Sequence, residues 1–200
     1  WGFARPELVG AFDVLVVDES GQVSLANLLA MSRAAENLVL LGDQRQLGQP
    51  IQGSHPGETG RSALEYLLED HAIIPESLGV FLDQTWRLRP EICQFISDAF
   101  YEGQLTAVPQ TSQRSIQVPA HRRPQIPRDC GVVFEPVIHD GNTVGSTEEA
   151  VAMRELVEAL LECRISEDGG STDRPLVLSD IVVVAPYNVQ VRILTEALPP

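Results

Sequence analysis

The sequence predicts an α/β protein built on parallel strands, and three observations carry that expectation. Residues 12–17 (FDVLVV) and 37–41 (NLVLL) are short apolar runs rich in Val and Leu, the pattern of strands buried on both faces. Each run ends in acid, Asp18-Glu19 after the first and Gly42-Asp43 after the second. Between them, residues 24–33 (SLANLLAMSR) place Leu25, Leu28, Leu29 and Met31 at helical spacing, so the order is strand, crossover helix, strand. Carboxylates at the carboxyl ends of adjacent parallel strands stand where open α/β sheets hold their ligands.

The remaining elements follow in order. Residues 49–60 (QPIQGSHPGETG) form a Gly/Pro-rich loop, residues 62–68 a helix, and residues 80–82 (VFL) a short strand leading into DQTWRLRP at 83–90. Residues 91–100 are an amphipathic helix with Ile92, Phe95, Ile96 and Phe100 on one side, and Pro90 suits its first position. The proline-punctuated stretch 106–130, with Arg114, Arg122, Arg123 and Arg128, reads as an irregular surface loop. Residues 131–139 (GVVFEPVIH) read as a strand that Pro136 confines to an edge. Residues 146–165 give the clearest helix, with Ser146 and Glu149 as a capping box and Ala150, Met153, Val157, Leu160 and Leu161 as its apolar face. A polar loop at 167–174 precedes a Val-rich strand at 180–185 (DIVVVA) and a last helix at 189–198.

Composition narrows the chemistry. The formal charge is −14, which argues against a polyanion grip over the whole surface. All 14 basic residues are Arg, so neither a phosphate-loop lysine nor lysine Schiff-base chemistry can come from these residues. No apolar run is long enough to span a bilayer. Cys93, Cys130 and Cys163 are too scattered for a zinc site and too few for a disulfide framework, which suits an intracellular, cytoplasmic setting. A domain change is expected near residue 84: residues 1–83 carry 4 Arg against 12 acids, and residues 84–200 carry 10 against 16.

Two adjacent acids at the end of an apolar strand read in two ways. Either both are solvated, or one holds Mg²⁺ while its neighbour polarises a water beside a γ-phosphate. Gly42-Asp43 at the next strand end, followed by Gln44 and Gln46, tips the balance towards a phosphate site, since an uncharged amide can sense a terminal phosphate. Arg87 and Arg89, taken alone, are two surface arginines before a helix; opposite a phosphate they would offset charge developing in the transition state.

VVDESGQ (16–22), LLGDQRQLGQP (40–50), LDQTWRLRPEICQFISDAFYEGQL (82–105) and IVVVAPYNVQ (181–190) occur in that order. Together they resemble the DExx box, motif III, the motif IV region and the TPYxxQ segment of superfamily 1 helicases. The group in view is the 5′-to-3′ branch that includes the nonsense-mediated-decay helicase and the Dna2 helicase–nuclease; TWRLRP is similar to its QYRMHP and FYEGQL to its FYEGRL. The resemblance implies parts of two RecA-like P-loop NTPase domains, residues 1–83 from the rear of the first and 84–200 from the front of the second. It implies ATP and Mg²⁺ as cofactors, with Asp18 the metal ligand, Glu19 the catalytic base, Gln46 the γ-phosphate contact and Arg87 the arginine finger. Gln22, Gly42, Asp43 and Arg89 would line the nucleotide, and Tyr187, Asn188 and Gln190 the path of single-stranded DNA or RNA. For Trp86, which replaces the family tyrosine, and for Tyr187, core packing stands as an equal alternative. Ser20 replaces the usual alanine of the DExx box. The Walker A loop is expected upstream and the last motifs downstream, so these residues alone are expected to be inactive, with the remainder of the parent chain, and a nuclease domain in some relatives, as partners. The alternatives are a catalytically inactive helicase-like scaffold for protein contacts and a different P-loop ATPase that shares only the acid-tipped strand. The Arg114–Arg128 loop reads as a solvated linker ahead of a local strand-binding groove.

Overall fold

A computed structural model describes residues 2–48, 53, 55–69, 71–166 and 173–199. The chain divides into two compact units. One comprises the residues up to Leu82 together with Ala99–Glu102, and the other comprises Asp83–Asp98 and the residues from Gly103 on.

In the first unit, β1 (Phe12–Val17), α1 (Leu25–Ser32) and β2 (Ala35–Leu40) form the expected strand–helix–strand succession. The two strands pair in parallel, from Phe12 opposite Ala35 to Val17 opposite Leu40. Ser24 caps α1 by accepting a bond from the Asn27 N–H at 3.3 Å. Ser62 and Glu65 close a reciprocal capping box on α2 (Ala63–Leu68). Leu15, Val17, Leu28 and Ala63 make the core, flanked by Val23, Met31, Ala35 and Leu40. The strands are not buried on both faces as the apolar runs suggest. Val14, Val16, Leu38 and Val39 are exposed, because the sheet has two strands among the described residues and the core packs mainly on one face of β1. The Gly/Pro-rich stretch lies partly outside the described residues; Gly57–Gly60 within it forms a 3-10 turn.

The second unit contains β3 (Gln84–Thr85) and most of α3 (Pro90–Phe100), with Pro90 at the first helical position as expected. A strand does form after residue 79, but not at 80–82. Val80 and Leu82 are exposed, and the pairing is made by Gln84–Thr85 in parallel with β4 (Thr106–Ala107). The stretch 106–130 is more ordered than a loop. It supplies β4, β5 (Ser115–Gln117) and 3-10 turns at Pro109–Gln113 and Ala120–Arg122. After α4 (Thr147–Leu160) the chain forms β6 (Arg164–Ser166) and β7 (Arg174–Pro175), so the helix expected to 165 stops five residues early. Strands β5, β6 and β7 make an antiparallel sheet, a departure from the all-parallel expectation. The loop expected at 167–174 lies mostly outside the described residues. The core here is Val118, Ile126, Ala159 and Cys163.

Two expected strands are absent among the described residues. Residues 131–139 and 180–185 are Val-rich, yet no backbone hydrogen bond joins 132–138 or 182–185 to another described segment. Ile138 is 94% exposed and Val184 84%. Apolar, β-branched composition favours an extended chain, but a strand exists only when its N–H and C=O groups find a neighbouring ladder. A cavity of about 1210 Å³ lies in this unit beside the unpaired segment, lined by Ile116, Ile126, Phe134, Met153 and Leu156 among others.

The last helix, α5 (Asn188–Ala197), is hydrogen-bonded to the N-cap of α4 through Gln190. Gln190 is 6% exposed; its Oε1 accepts from the Ser146 N–H at 2.7 Å and its Nε2 donates to the Ser146 carbonyl at 3.1 Å. This alters the capping expected of α4. Ser146 Oγ accepts from the Glu149 N–H at 3.1 Å, but Gln190, not Glu149, occupies the Ser146 N–H. Glu148 takes bonds from Asn142 at 2.9 Å, Ser146 Oγ at 3.1 Å and Thr147 at 3.3 Å. Its own backbone N–H first, then Asn142 and Ser146, lower its pKa to about 2. Arg122 first and then His121 lower Glu162 to about 2, and Arg174 first and then the Val177 N–H lower Asp180 to about 2.

Gln190→Leu leaves the buried Ser146 N–H without a partner, while the Ser146 carbonyl keeps the Ala150 N–H, and is expected to cost about 1–3 kcal/mol, seen as a lower urea midpoint. Tyr187→Ala, at an exposed neighbouring position, should change stability by less than about 0.5 kcal/mol. For Glu148, Glu162 and Asp180 the folded pKa lies below the ordinary 4.5, 4.5 and 3.8, so their stabilisation is complete above those values. It should fade as the pH drops towards about 2, and thermal unfolding followed from pH 6 downward should show Glu148→Gln losing less stability than the wild type.

Candidate functional site

The carboxyl ends of β1 and β2 are locked together by backbone. Leu41 donates its N–H to the Val17 carbonyl at 2.8 Å, and the Leu41 carbonyl accepts both the Ser20 N–H and the Ser20 hydroxyl at 2.8 Å. Ser20 has no exposed surface, so the serine that replaces alanine adds a second bond at a fully enclosed point. The chain reaches this position by a left-handed turn at Glu19, with φ 50° and ψ 39°. That conformation costs a non-glycine residue of order 1–3 kcal/mol and persists only where the surroundings enforce it. Two glycines allow the close approach. A Cβ on Gly21 would overlap the Asp43 carbonyl, and a Cβ on Gly42 (φ 151°) would lie 2.8 Å from the Ser20 nitrogen.

The tips therefore present their side chains from one fused edge. Asp18 is exposed; its Oδ1 accepts from the Glu19 N–H at 2.9 Å and its Oδ2 has no partner among the described residues. Glu19 and Gln22 are exposed with unpartnered side chains, and the Gln22 N–H closes the turn on the Glu19 carbonyl at 2.8 Å. Magnesium is usually held by one or two carboxylates, with phosphate and water completing its shell, so a lone carboxylate with one open oxygen is a suitable protein contribution. No group of three or more potential metal ligands occurs among the described residues.

The turn after β2 is tethered on both sides. Asp43 Oδ1 accepts from the Arg45 N–H at 2.9 Å, Asp43 Oδ2 accepts from the Tyr101 hydroxyl, and Gln44 Nε2 donates to the Ala72 carbonyl at 2.9 Å. Burial first, and then the Asp43 carboxylate it faces, push the Tyr101 phenol well above its ordinary pKa. Gln46 is exposed; its N–H points to the Asp43 carbonyl at 3.4 Å and its amide side chain is unpartnered among the described residues.

In the second unit the loop that follows β3 is braced in the same way. Thr85 Oγ1 accepts the N–H groups of Arg87 at 3.2 Å and Leu88 at 3.4 Å, and Arg114 donates to the Arg87 carbonyl at 3.1 Å. Arg89 donates to the Ser112 carbonyl at 2.6 Å, to the Arg114 carbonyl and to the Glu91 carboxylate. Arg89, expected to line a nucleotide, thus spends its guanidinium inside its own unit as a brace. Arg87 is exposed, and its guanidinium has no partner among the described residues.

Several other expectations shift. Trp86 and Tyr187 are both exposed, which removes core packing as their explanation. Asn188 is exposed at the start of α5, but Gln190, expected on a nucleic-acid path, is the buried strut described above. The arginines of 114–128 are mostly committed: Arg114 to Arg87, Arg122 to Glu162 and Arg123 to Asp129. Sequence reasoning missed Tyr101 and Arg114 as parts of the braces. Tyr101 lies within the FYEGQL phrase, where an aromatic with a hydroxyl just past an amphipathic helix was the available signal.

Residues 59–199 match the protein family described as an AAA domain. The chain is similar to the rat DNA-binding protein SMUBP-2, at 29% identity over 94% of its length, and to the Arabidopsis thaliana DNA replication ATP-dependent helicase/nuclease JHS1, at 26% over 99%. It also resembles the yeast ATP-dependent helicase NAM7, at 29% over 52%. The chain belongs to the superfamily 1 helicases, in the group of the nonsense-mediated-decay and Dna2 helicases. The chain spans 19%, 15% and 11% of the lengths of those three relatives. Asp18 and Glu19 precede the family match but lie in the stretch that the first two relatives cover almost throughout.

Gly21→Ala should lower stability by about 1–3 kcal/mol, because the methyl group meets backbone that cannot move aside. Gly48→Ala, where the added carbon meets open space, should stay within about 0.5 kcal/mol of the wild type; urea denaturation of both variants checks the contrast.

Proposed function

We propose that the protein carrying this chain is an ATP-driven helicase or translocase acting on single-stranded nucleic acid, and that its two units are parts of two RecA-like domains. One observation carries the reading. At both candidate phosphate-facing segments the backbone and the neighbouring polar groups are tied down, while one oxygen of Asp18 and the side chains of Glu19, Gln46 and Arg87 are left exposed and without partners among the described residues. The relatives' names, which include ATP-dependent helicases and a DNA-binding protein, support the same reading.

Mg-ATP, when bound, supplies a γ-phosphoryl group open to attack by water and a cation that offsets its charge. Asp18 would hold the cation through its open oxygen. Glu19 would orient the attacking water and take its proton, a role suited to a carboxylate held on an enforced left-handed turn. Gln46 would donate its amide to the terminal phosphate, with Gly42, Asp43 and Gln22 shaping the edge around it. Arg87 would meet the charge that develops as the bond breaks, and Arg89 would keep the Arg87 loop in place. Tyr187 and Asn188, with the exposed Trp86 beside Arg87 as a further aromatic surface, are the candidates for stacking and bonding to a strand. Such contacts need no basic global field, which accords with a charge of −14.

In the full-length protein, Glu19→Gln is expected to retain ATP binding and to lower turnover by about 10²–10⁴-fold. Arg87→Ala should lower turnover by about 10³-fold or more with nucleotide affinity little changed. Phosphate release and binding of a fluorescent ATP analogue measure the two quantities. Turnover unchanged in both variants would remove these residues from the chemistry, and a wild-type protein without turnover would favour the scaffold reading.

A further inference from the structure

The Asp43 carboxylate is held through both oxygens, by two donors of different origin. The Arg45 N–H is local, two residues along the same turn. The Tyr101 hydroxyl comes from the residue just after α3, 58 residues away, within the short segment Ala99–Glu102 that belongs to the first unit. The Tyr101 ring is itself seated, its centroid 5.9 Å from that of Phe81. A carboxylate bonded at one oxygen rotates and exchanges that bond between its two equivalent oxygens; bonded at both, it cannot. The phenol therefore fixes the Asp43 side chain, and the Asp43 side chain holds the Arg45 N–H in the turn that leads to Gln46. A bare carboxylate beside a polyphosphate is also repulsive, and two donors spread part of its charge.

We propose that Tyr101 is a positioning residue that sets the phosphate-sensing turn at Asp43–Gln46 by way of the Asp43 carboxylate. The proposal rests on the nucleotide reading of that turn. Its side chain comes from the residue that directly follows α3, the helix that begins after the Arg87–Arg89 loop in sequence. Burial and the facing carboxylate keep the phenol protonated, hence a donor, at any physiological pH.

The test uses Tyr101→Phe in the full-length protein, with two readouts. Without nucleotide, amide hydrogen exchange at Arg45 and Gln46 should quicken about tenfold, the scale of one lost bond to a charged acceptor. In steady-state ATP hydrolysis, kcat should fall about tenfold with KM within about twofold, since the change lies in orientation and not in binding. Added to Asp43→Ala, Tyr101→Phe should change kcat by less than about twofold, because the phenol acts through that carboxylate. Unchanged exchange overturns the proposal, as does faster exchange with kcat intact, which would make the bond purely structural. Exchange is read without ATP, so a wild type lacking turnover would count against the nucleotide reading separately from the tether.

Discussion

The pair of hydrogen bonds from Ser20 to the Leu41 carbonyl is the constraint on which the first unit's candidate site depends. Parallel strands leave their carboxyl ends free to splay, and two strands alone have little to resist it. Here a buried N–H and a buried hydroxyl converge on one acceptor. An unpaired polar group at so enclosed a point would cost more than the bonds gain, so the closure is cooperative. The rest follows from it. Gly21 and Gly42 must lack side chains for the backbones to meet, and Glu19 must turn left-handed to deliver Ser20. Asp18 and Glu19 are then displayed on a rigid lip.

The same division of labour recurs in the second unit. Polar groups around a displayed side chain are saturated by neighbours, and the displayed side chain is not. Thr85, Arg89 and Arg114 hold the loop from Gln84 to Arg89 much as Ser20, Asp43 and Gln44 hold the two turns of the first unit. Two arginines two residues apart take opposite roles because carbonyls of the 112–114 segment lie within reach of Arg89, whereas Arg87 meets none. A guanidinium with five donors is well suited to either task, so the residue type alone does not decide between them.

The elements with strong local signals were legible in the sequence. Residues 12–17, 24–33, 62–68 and 90–100 carry their periodicity, caps and prolines within a few residues, and the structure follows them closely. The misses share one cause. Residues 131–139 and 180–185 have strand composition, but a strand is a relation between two segments, and composition reports only one of them. The β3–β4 pair errs the other way: Gln84, Thr85 and Thr106 carry no apolar signal, yet their backbones pair. In the candidate site, Asp18, Glu19, Gln46 and Arg87 could be named from motif order. That Arg89 and Gln190 are structural could not, because their partners, Ser112, Arg114 and Ser146, lie more than twenty residues away in sequence.

The small segment Ala99–Glu102 gives the division of the chain an uneven seam. A gene cut at residue 83 to produce the front half by itself would discard Tyr101 along with the back half. The excised front piece would keep all four of its longer elements and still lose one of the two donors on Asp43, so it would be an imperfect surrogate for the same residues in the intact polypeptide. Dissection that respects the seam would graft residues 99–102 back on, or leave the halves joined.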